Sequence, residues 1–342
     1  MNAPHVAAAF PEQTRSFMPR PAKPDSGFTK LSVPNFATLN RELHAADLSL
    51  IVTGPSELQL WRLLMRGLFD RRAWQGHPRF GPAFAPHLLR LAATAPIAVI
   101  DTEDSPYINR ADLFLLSRCK YYFKRELPPD RWRLFTKTAH RALPTRRFRR
   151  QSPLRHFIDK IRPISLGLPP SSAGLMPTTE LDKTADVFVS GGVEGTSTIR
   201  KTGMSELVAL RERGYRIDIA EGPLSPQDFY RRCAQAWIVW SPEGLGWDCF
   251  RHYEALGCGS VPVINQPTIE RHRPLISGVH ALYYDPEPGC LTGAIEAALA
   301  DKDRLRAIAR AGKAHVLTHH TLAALGNYVV KTTLGGGRGP NG

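Results

Sequence analysis

Short apolar runs alternate with amphipathic stretches of helical period over most of the chain. In the first half, Leu48 to Thr53 (LSLIVT), Ala95 to Asp101 (APIAVID) and Lys120 to Lys124 read as strands, and Gly54-Pro55-Ser56 opens a helix through Trp61, Leu64, Met65 and Leu68. The second half repeats the pattern. Asp186 to Ser190, Arg216 to Ala220, Ala236 to Trp240, Ser260 to Ile264 and Ala281 to Tyr284 read as strands, with helices expected near Thr198–Arg213, Pro226–Cys233, Cys249–Leu256 and Thr292–Ala300. A further helix is expected from Asp303 to about His320. Strands this apolar are buried on both faces, as in a parallel sheet covered by helices. The expected class is therefore α/β, with two Rossmann-like domains facing each other across a cleft.

Turn-rich segments divide the pattern. Residues 1–35 are proline-rich, lack periodicity and read as a flexible arm; 36–168 form a first domain, 169–325 a second, and 326–342 a C-terminal segment ending in a glycine-rich tail. The loop from Gly167 to Thr179, with its Gly, Pro and Ser, marks the boundary between the domains.

Composition narrows the function classes. The 342 residues are 42% hydrophobic and 22% charged, and the longest apolar stretch, Leu91 to Ile100, is about half of a bilayer span. No secretory leader is read in the first residues, so a cytoplasmic location is expected, with contact at an anionic membrane surface left open. Five scattered cysteines without a C-x-x-C pair argue against a disulfide framework or a structural zinc site. The net charge of +14 points to an anionic partner. Part of the excess is local, with eight Lys or Arg between Arg141 and Arg162 against Asp159.

The passage from Trp240 to Asn265 carries the most chemistry. It reads strand, glycine loop, short helix, glycine turn, strand, and ligands of α/β sheets sit beyond the carboxyl ends of strands. Glu243, Gly244, Leu245 and Gly246 occupy that loop, just before a helix start expected to be capped by Asp248. Arg251 falls in the first helical turn, where the dipole opposes a cation unless an anion lies beside it. Glu254 is three residues on, so one face can offer a cation to phosphate and a carboxylate to ribose hydroxyls. An ordinary intrahelical Arg251–Glu254 pair is the competing explanation.

Those residues resemble the nucleotide-sugar site of GT-B glycosyltransferases of group 1, and within them the exostosin-like and CgeB-like group. The shared pattern is Ser241, Pro242, Gly244, Gly246, Arg251, Glu254, Ala255, Gly259, Pro262 and Val263, with weaker similarity from about Ala95 to His320. The resemblance implies a nucleotide-diphosphate sugar as donor substrate with no separate cofactor, and a glycan or other hydroxyl acceptor held largely by the amino-terminal domain. Retaining group 1 enzymes place seven residues between their two glutamates, whereas ten separate Glu243 from Glu254. The stereochemical course is left open.

Two other places are candidates. Arg200, near the start of the helix after Ser190-Gly191-Gly192 and Glu194-Gly195-Thr196, is a second phosphate contact by the same dipole reasoning. Asp101, Glu103 and Asp104, at the end of the strand APIAVID, are candidate catalytic carboxylates for deprotonating an acceptor, or alternatively turn caps. No metal is expected: Asp301-Lys302-Asp303 reads as the charged start of a helix. A basic binding protein, gripping nucleic acid or anionic lipid through Arg146, Arg147, Arg149 and Arg150 around Phe148, is a reading from a different class. On the glycosyltransferase reading no specific nucleic acid partner is expected, and an inactive GT-B relative remains open.

Overall fold

The structure is a computed structural model that describes residues 6–9, 28–30, 46–53, 94–109, 112–135, 152–169, 172, 174–192 and 197–335. The chain divides into two units, Met1–Ile164 with Gly326–Gly342, and Ser165–Leu325. Both are built on parallel sheets, giving the expected α/β class.

The first unit contains β1 (Val6–Ala9), β2 (Phe28–Lys30), β3 (Leu48–Thr53), β4 (Ile97–Asp101), β5 (Tyr121–Lys124) and β6 (Ile161–Pro163), in the order β2-β1-β3-β4-β5-β6. Every residue of β3 and β4 is buried, Ser49, Thr53 and Asp101 included, as in largely apolar strands covered on both faces. Ile51, Val99 and Tyr122 pack with Leu115 and Leu116 of the 3-10 helix Leu113–Ser117 and with Leu134 and Phe135.

β1 and β2 correct the reading of residues 1–35 as an arm without regular structure. Val6–Ala9 has one β-branched residue and three alanines, so neither propensity nor alternation announces a strand; its pairing with β3 is a tertiary gain. The helix expected through Trp61, the arginines around Phe148 and the glycine-rich tail beyond residue 335 lie outside the described residues.

The second unit contains β7 (Ala185–Val189), β8 (Ile217–Ile219), β9 (Ala236–Trp240), β10 (Val261–Asn265) and β11 (Leu282–Tyr284) in the order β11-β10-β9-β7-β8. All five lie within two residues of their expected limits. Between and after them run α1 (Thr198–Glu212), α2 (Pro226–Gln235), α3 (Phe250–Gly257), α4 (Cys290–Leu299) and α5 (Lys302–His319). Alternate residues of the strands enter two cores: Val187, Val189, Ile238 and Trp240 pack with Leu207, Leu291, Ile295 and Ile308, while Phe188 and Val239 pack with Tyr230, Cys233 and Ala255. A Cβ on Gly203 would stand 2.3 Å from the Trp240 ring, so α1 lies on β9 only because residue 203 has no side chain.

The helix α6 (Leu322–Leu334) has no counterpart in the sequence reading, although it follows His320 almost without a break. It begins in the second unit and ends in the first. The Asp301–Asp303 stretch starts α5 as expected, and Asp301 also caps it by accepting from the Arg304 amide at 2.9 Å. The described cysteines are all free.

Strand order locates the place where a ligand fits. From β7 the chain steps outward to β8, then crosses back to β9 on the other side of β7. The loops leaving β7 and β9 therefore diverge and open a crevice between them, the topological switch point.

Candidate functional site

Two loops and two helix starts meet at that switch point. β7 leads into Ser190, Gly191 and Gly192, β9 into Ser241 through Gly246, and α1 and α3 begin beyond them. Ser197 caps α1 by accepting from the Ile199 amide at 3.1 Å. Glu194, Gly195 and Thr196 lie outside the described residues.

Arg200 ties the loops together. Its Nε donates to the Glu243 carbonyl at 2.8 Å and its Nη1 to the Gly192 carbonyl at 3.0 Å. Arg251 comes to the same place from α3: a Cβ on Gly191 would stand 2.7 Å from Arg251 Nη2 and 3.5 Å from Arg200 Nη1. Gly191 has φ of +111°, a conformation that side chains rarely adopt, so glycine is needed there twice over. Gly244 is as close, its Cβ position lying 3.2 Å from Arg200 Nη2.

The two cations are only partly compensated, with the Glu243 charge acting on Arg200 and Arg251 interacting with Glu254. Burial, and then the neighbouring Arg251 charge, lower the pKa of Arg200. Arg251 Nε is buried without a hydrogen-bond partner among the described residues. Glu254 makes no hydrogen-bonded ion pair with it; its Oε1 accepts from Tyr230 Oη of α2 at 2.9 Å, and burial raises its pKa against the opposing effects of Tyr230 and the Arg251 charge. The ordinary Arg251–Glu254 pair is therefore not what the helix contains.

The loop is held from below by polar groups the sequence reading did not single out. Asn265, at the end of β10, accepts from the Glu243 amide at 2.9 Å and donates to Glu243 Oε2 at 3.1 Å. His252 is fully buried, with Nε2 2.9 Å from the Trp247 carbonyl and Nδ1 2.7 Å from Ser241 Oγ. A carbonyl only accepts, so Nε2 carries the proton and Ser241 donates to Nδ1. Burial pushes His252 down to about 3, which keeps it neutral. Leu245 sits at the loop tip, 61% exposed. The signal for Asn265 was its place at the carboxyl end of a parallel strand beside the glycine loop.

Asp248 does not cap α3. The N-cap is Cys249, which makes no side-chain cap bond. Asp248 Oδ2 accepts from the Leu166 amide and Oδ1 from Tyr253 Oη, both at 2.6 Å. Its backbone position, one residue before the cap, frees its carboxylate for these partners, and the first-turn amides of α3 keep no side-chain acceptor from the cap.

The carboxylates of the first unit have a different setting. Asp101, at the end of β4, is fully buried; its Oδ2 accepts from Tyr122 Oη at 2.8 Å and lies 3.1 Å from Lys124 Nζ, and its Oδ1 accepts from the Glu103 amide at 2.9 Å. The last bond closes an Asx-type turn, the capping role weighed against catalysis for this residue. Asp104, 53% exposed, pairs with Arg125, whose Nε also reaches Glu126 Oε1 at 3.3 Å. Glu103 is buried beside them. Asp112, before the 3-10 helix, joins the group: burial raises its pKa well above the carboxylate range, Asp101 and Glu103 adding to the effect and Lys124 opposing it. Nothing around Asp112 in the sequence marks it out.

Among the described residues, no group of three or more His, Cys, Asp or Glu is placed to hold a metal ion. Among them, too, no helix is long and apolar enough to cross a membrane.

Comparison with known proteins places one stretch in a family. Residues 214–329, about a third of the chain, match the family described as glycosyl transferase-like. No curated protein matches the chain. Among solved structures, the chain is similar to the sucrose-phosphate synthase of Thermosynechococcus elongatus, at 12% identity and a TM-score of 0.48, with 96% of this chain and 88% of that one covered. It is similar to a glycosyltransferase from Rickettsia africae at 11% identity and a TM-score of 0.47, covering 90% of this chain and 84% of that one. For the Anabaena protein HepE, solved in complex with UDP, the values are 13% identity, a TM-score of 0.45, and 86% and 80% coverage. The family match takes in the Ser241–Gly246 loop, Arg251, Glu254 and Asn265 but begins after Arg200, so the likeness from Gly214 to Val329 covers the loop and α3 and not the start of α1.

Proposed function

We propose that the chain is a GT-B-type glycosyltransferase that takes a sugar from a nucleotide-diphosphate donor held by the second unit and passes it to a hydroxyl acceptor held largely by the first. The observation that carries this reading is the convergence of Arg200 and Arg251 at the switch point, with Arg251 Nε buried and without a partner among the described residues. Two guanidinium groups brought together in a partly buried crevice favour a dianionic group between them. The Ser241-Pro242…Arg251…Glu254-Ala255 pattern supports the exostosin-like and CgeB-like group within the class.

In the transfer, the bond between the sugar's anomeric carbon and the terminal phosphate oxygen breaks, and the diphosphate leaves with the electron pair. The acceptor oxygen bonds to that carbon and gives its proton to a base. Arg200 and Arg251 are fixed where negative charge grows on the leaving diphosphate, and act without a divalent ion. Glu254, oriented by Tyr230, takes the ribose hydroxyls; Glu243, oriented by Asn265, faces the sugar. Gly244, Leu245 and Gly246 let the loop backbone approach the donor. Glu103 and Asp104 are the candidate acceptor bases, and Asp101 positions them through its bond to the Glu103 amide. The basic surface suits an anionic acceptor or contact with an anionic membrane surface.

A thermal-shift screen of the full chain against UDP, GDP, dTDP, CMP and their sugars tests this reading, with Arg251→Ala and Glu254→Ala alongside. Stabilisation by one nucleotide class, lost in both variants and unaltered by a chelator, is expected. No shift with any nucleotide, or an absolute need for a divalent ion, would count against it.

A further inference from the structure

The opposite end of the second unit's strands holds a separate feature. Where β9 and β10 begin, a cavity of about 200 Å³ opens between the ends of α2 and α3 and one face of α5. A strand of five residues at about 3.3 Å each places it roughly 16 Å from the glycine loop at the other end of β9.

Its wall is cationic. Lys183, Arg306, Arg310 and Lys313 line it together with Glu180, and Asp303 stands beside Arg306. Lys183 is committed to structure, donating to the carbonyls of Ala234, Ala236 and Gly259 at 2.9, 2.9 and 3.0 Å. Burial pushes its ammonium down to about 8; the Glu180 charge opposes that fall and Lys313 adds to it. Arg306 pairs with Asp303 at 2.7 Å and lies 4.9 Å from the centre of the Trp237 ring. Arg310 and Lys313, one turn apart on α5, form no ion pair among the described residues. Both line the cavity, Arg310 exposed and Lys313 half-buried, and Trp237, with Arg306 and Lys302 over its ring, adds an aromatic edge.

We propose that this cavity is a second ligand site, taking a small phosphate-bearing molecule between Arg310 and Lys313 with its carbon skeleton against Trp237. A guanidinium offers paired donors to phosphate oxygens and an ammonium adds a point charge. The volume is below that of a drug-sized pocket, about 300 to 1,000 Å³, so the ligand is a small one. The inference stands on the cavity alone and not on the donor reading.

Titrating the full chain with glycerol 3-phosphate, inorganic phosphate and glycerol tests it, read by thermal shift and tryptophan fluorescence. A saturable response to glycerol 3-phosphate and none to glycerol are expected. Arg310→Ala and Lys313→Ala should each weaken binding on the order of tenfold, since a hydrogen bond to a charged group contributes about 1.5–3 kcal/mol. Arg251→Ala should leave the response intact, and Trp237→Phe should remove its fluorescence component. The proposal is overturned by the absence of a saturable response up to about 10 mM, or by a response that survives Arg310→Ala/Lys313→Ala and disappears in Arg251→Ala, which assigns the ion to the arginine pair.

Discussion

The two units place charged residues at the carboxyl ends of their sheets in opposite ways. Beyond β4, Asp101 has Lys124, Tyr122 and the Glu103 amide around it, so its charge is answered within the unit, while the Asp101 and Glu103 charges push up the neighbouring Asp112. Beyond β7 and β9, Arg200 donates to two backbone carbonyls beside Arg251, the Glu243 charge acts on it through space, and Arg251 Nε has no hydrogen-bond partner among the described residues. Topology follows the same division. β4 lies between β3 and β5, its neighbours in sequence, whereas β7 and β9 flank the switch point. The acidic group is anchored by neighbours within its own unit, whereas the Arg200–Arg251 pair is the place proposed for an anion.

The sharpest way to break this comparison is to remove one charge from each place. Lys124→Met leaves the Asp101 carboxylate buried without its cation and should cost about 3–5 kcal/mol by urea unfolding, with Asp101→Asn in the same chain restoring part of the loss. Arg251→Leu should leave stability equal or slightly higher, because it relieves repulsion, while slowing glycosyl transfer about 10²–10³-fold. Equal destabilisation by the two substitutions would erase the distinction.

Acid sharpens it further. His252 and His320 are pushed down to about 3 and His272 to about 4, in each case chiefly by burial. Unfolded histidine takes a proton near pH 6.5, so below that the unfolded state binds more protons and the second unit loses stability as pH falls from about 6.5 toward 4. Asp112 has the opposite sign. Its raised pKa contributes stability at low pH that is lost as pH rises through the folded value. Hydrogen exchange at pH 7.5 and 5 should show protection falling in the strands β9 and β10 and less change in β4. The smallest effect is at Ser241→Ala, which leaves His252 Nδ1 buried without its donor and should cost about 1–2 kcal/mol, measured by thermal melting.

Much of the second unit was legible because β7, β9 and β10 are apolar on both faces and each is followed or preceded by an amphipathic helix. The glycine loop, Arg251 and Glu254 were legible as a local strand-loop-helix pattern. Arg200 was legible as a candidate, but its meeting with Arg251 depends on β7 and β9 being neighbours, which the order of elements in the chain does not state. Asn265 and Tyr230 act through tertiary contacts with residues 22 and 24 positions away. Asp248 has the residue type of a cap and lost that role because Leu166 and Tyr253 offered its carboxylate buried donors. β1 left no trace because its alanines carry no strand preference.

The central claim is that Arg200 and Arg251 form a diphosphate site, and calorimetric titration with the nucleoside diphosphate and monophosphate of the responding base tests it most directly. The wild-type chain should bind the diphosphate at least about tenfold more tightly, and Arg200→Ala/Arg251→Ala should bind both nucleotides with equal, weak affinity. Retention of the full diphosphate preference in the double variant would contradict the account.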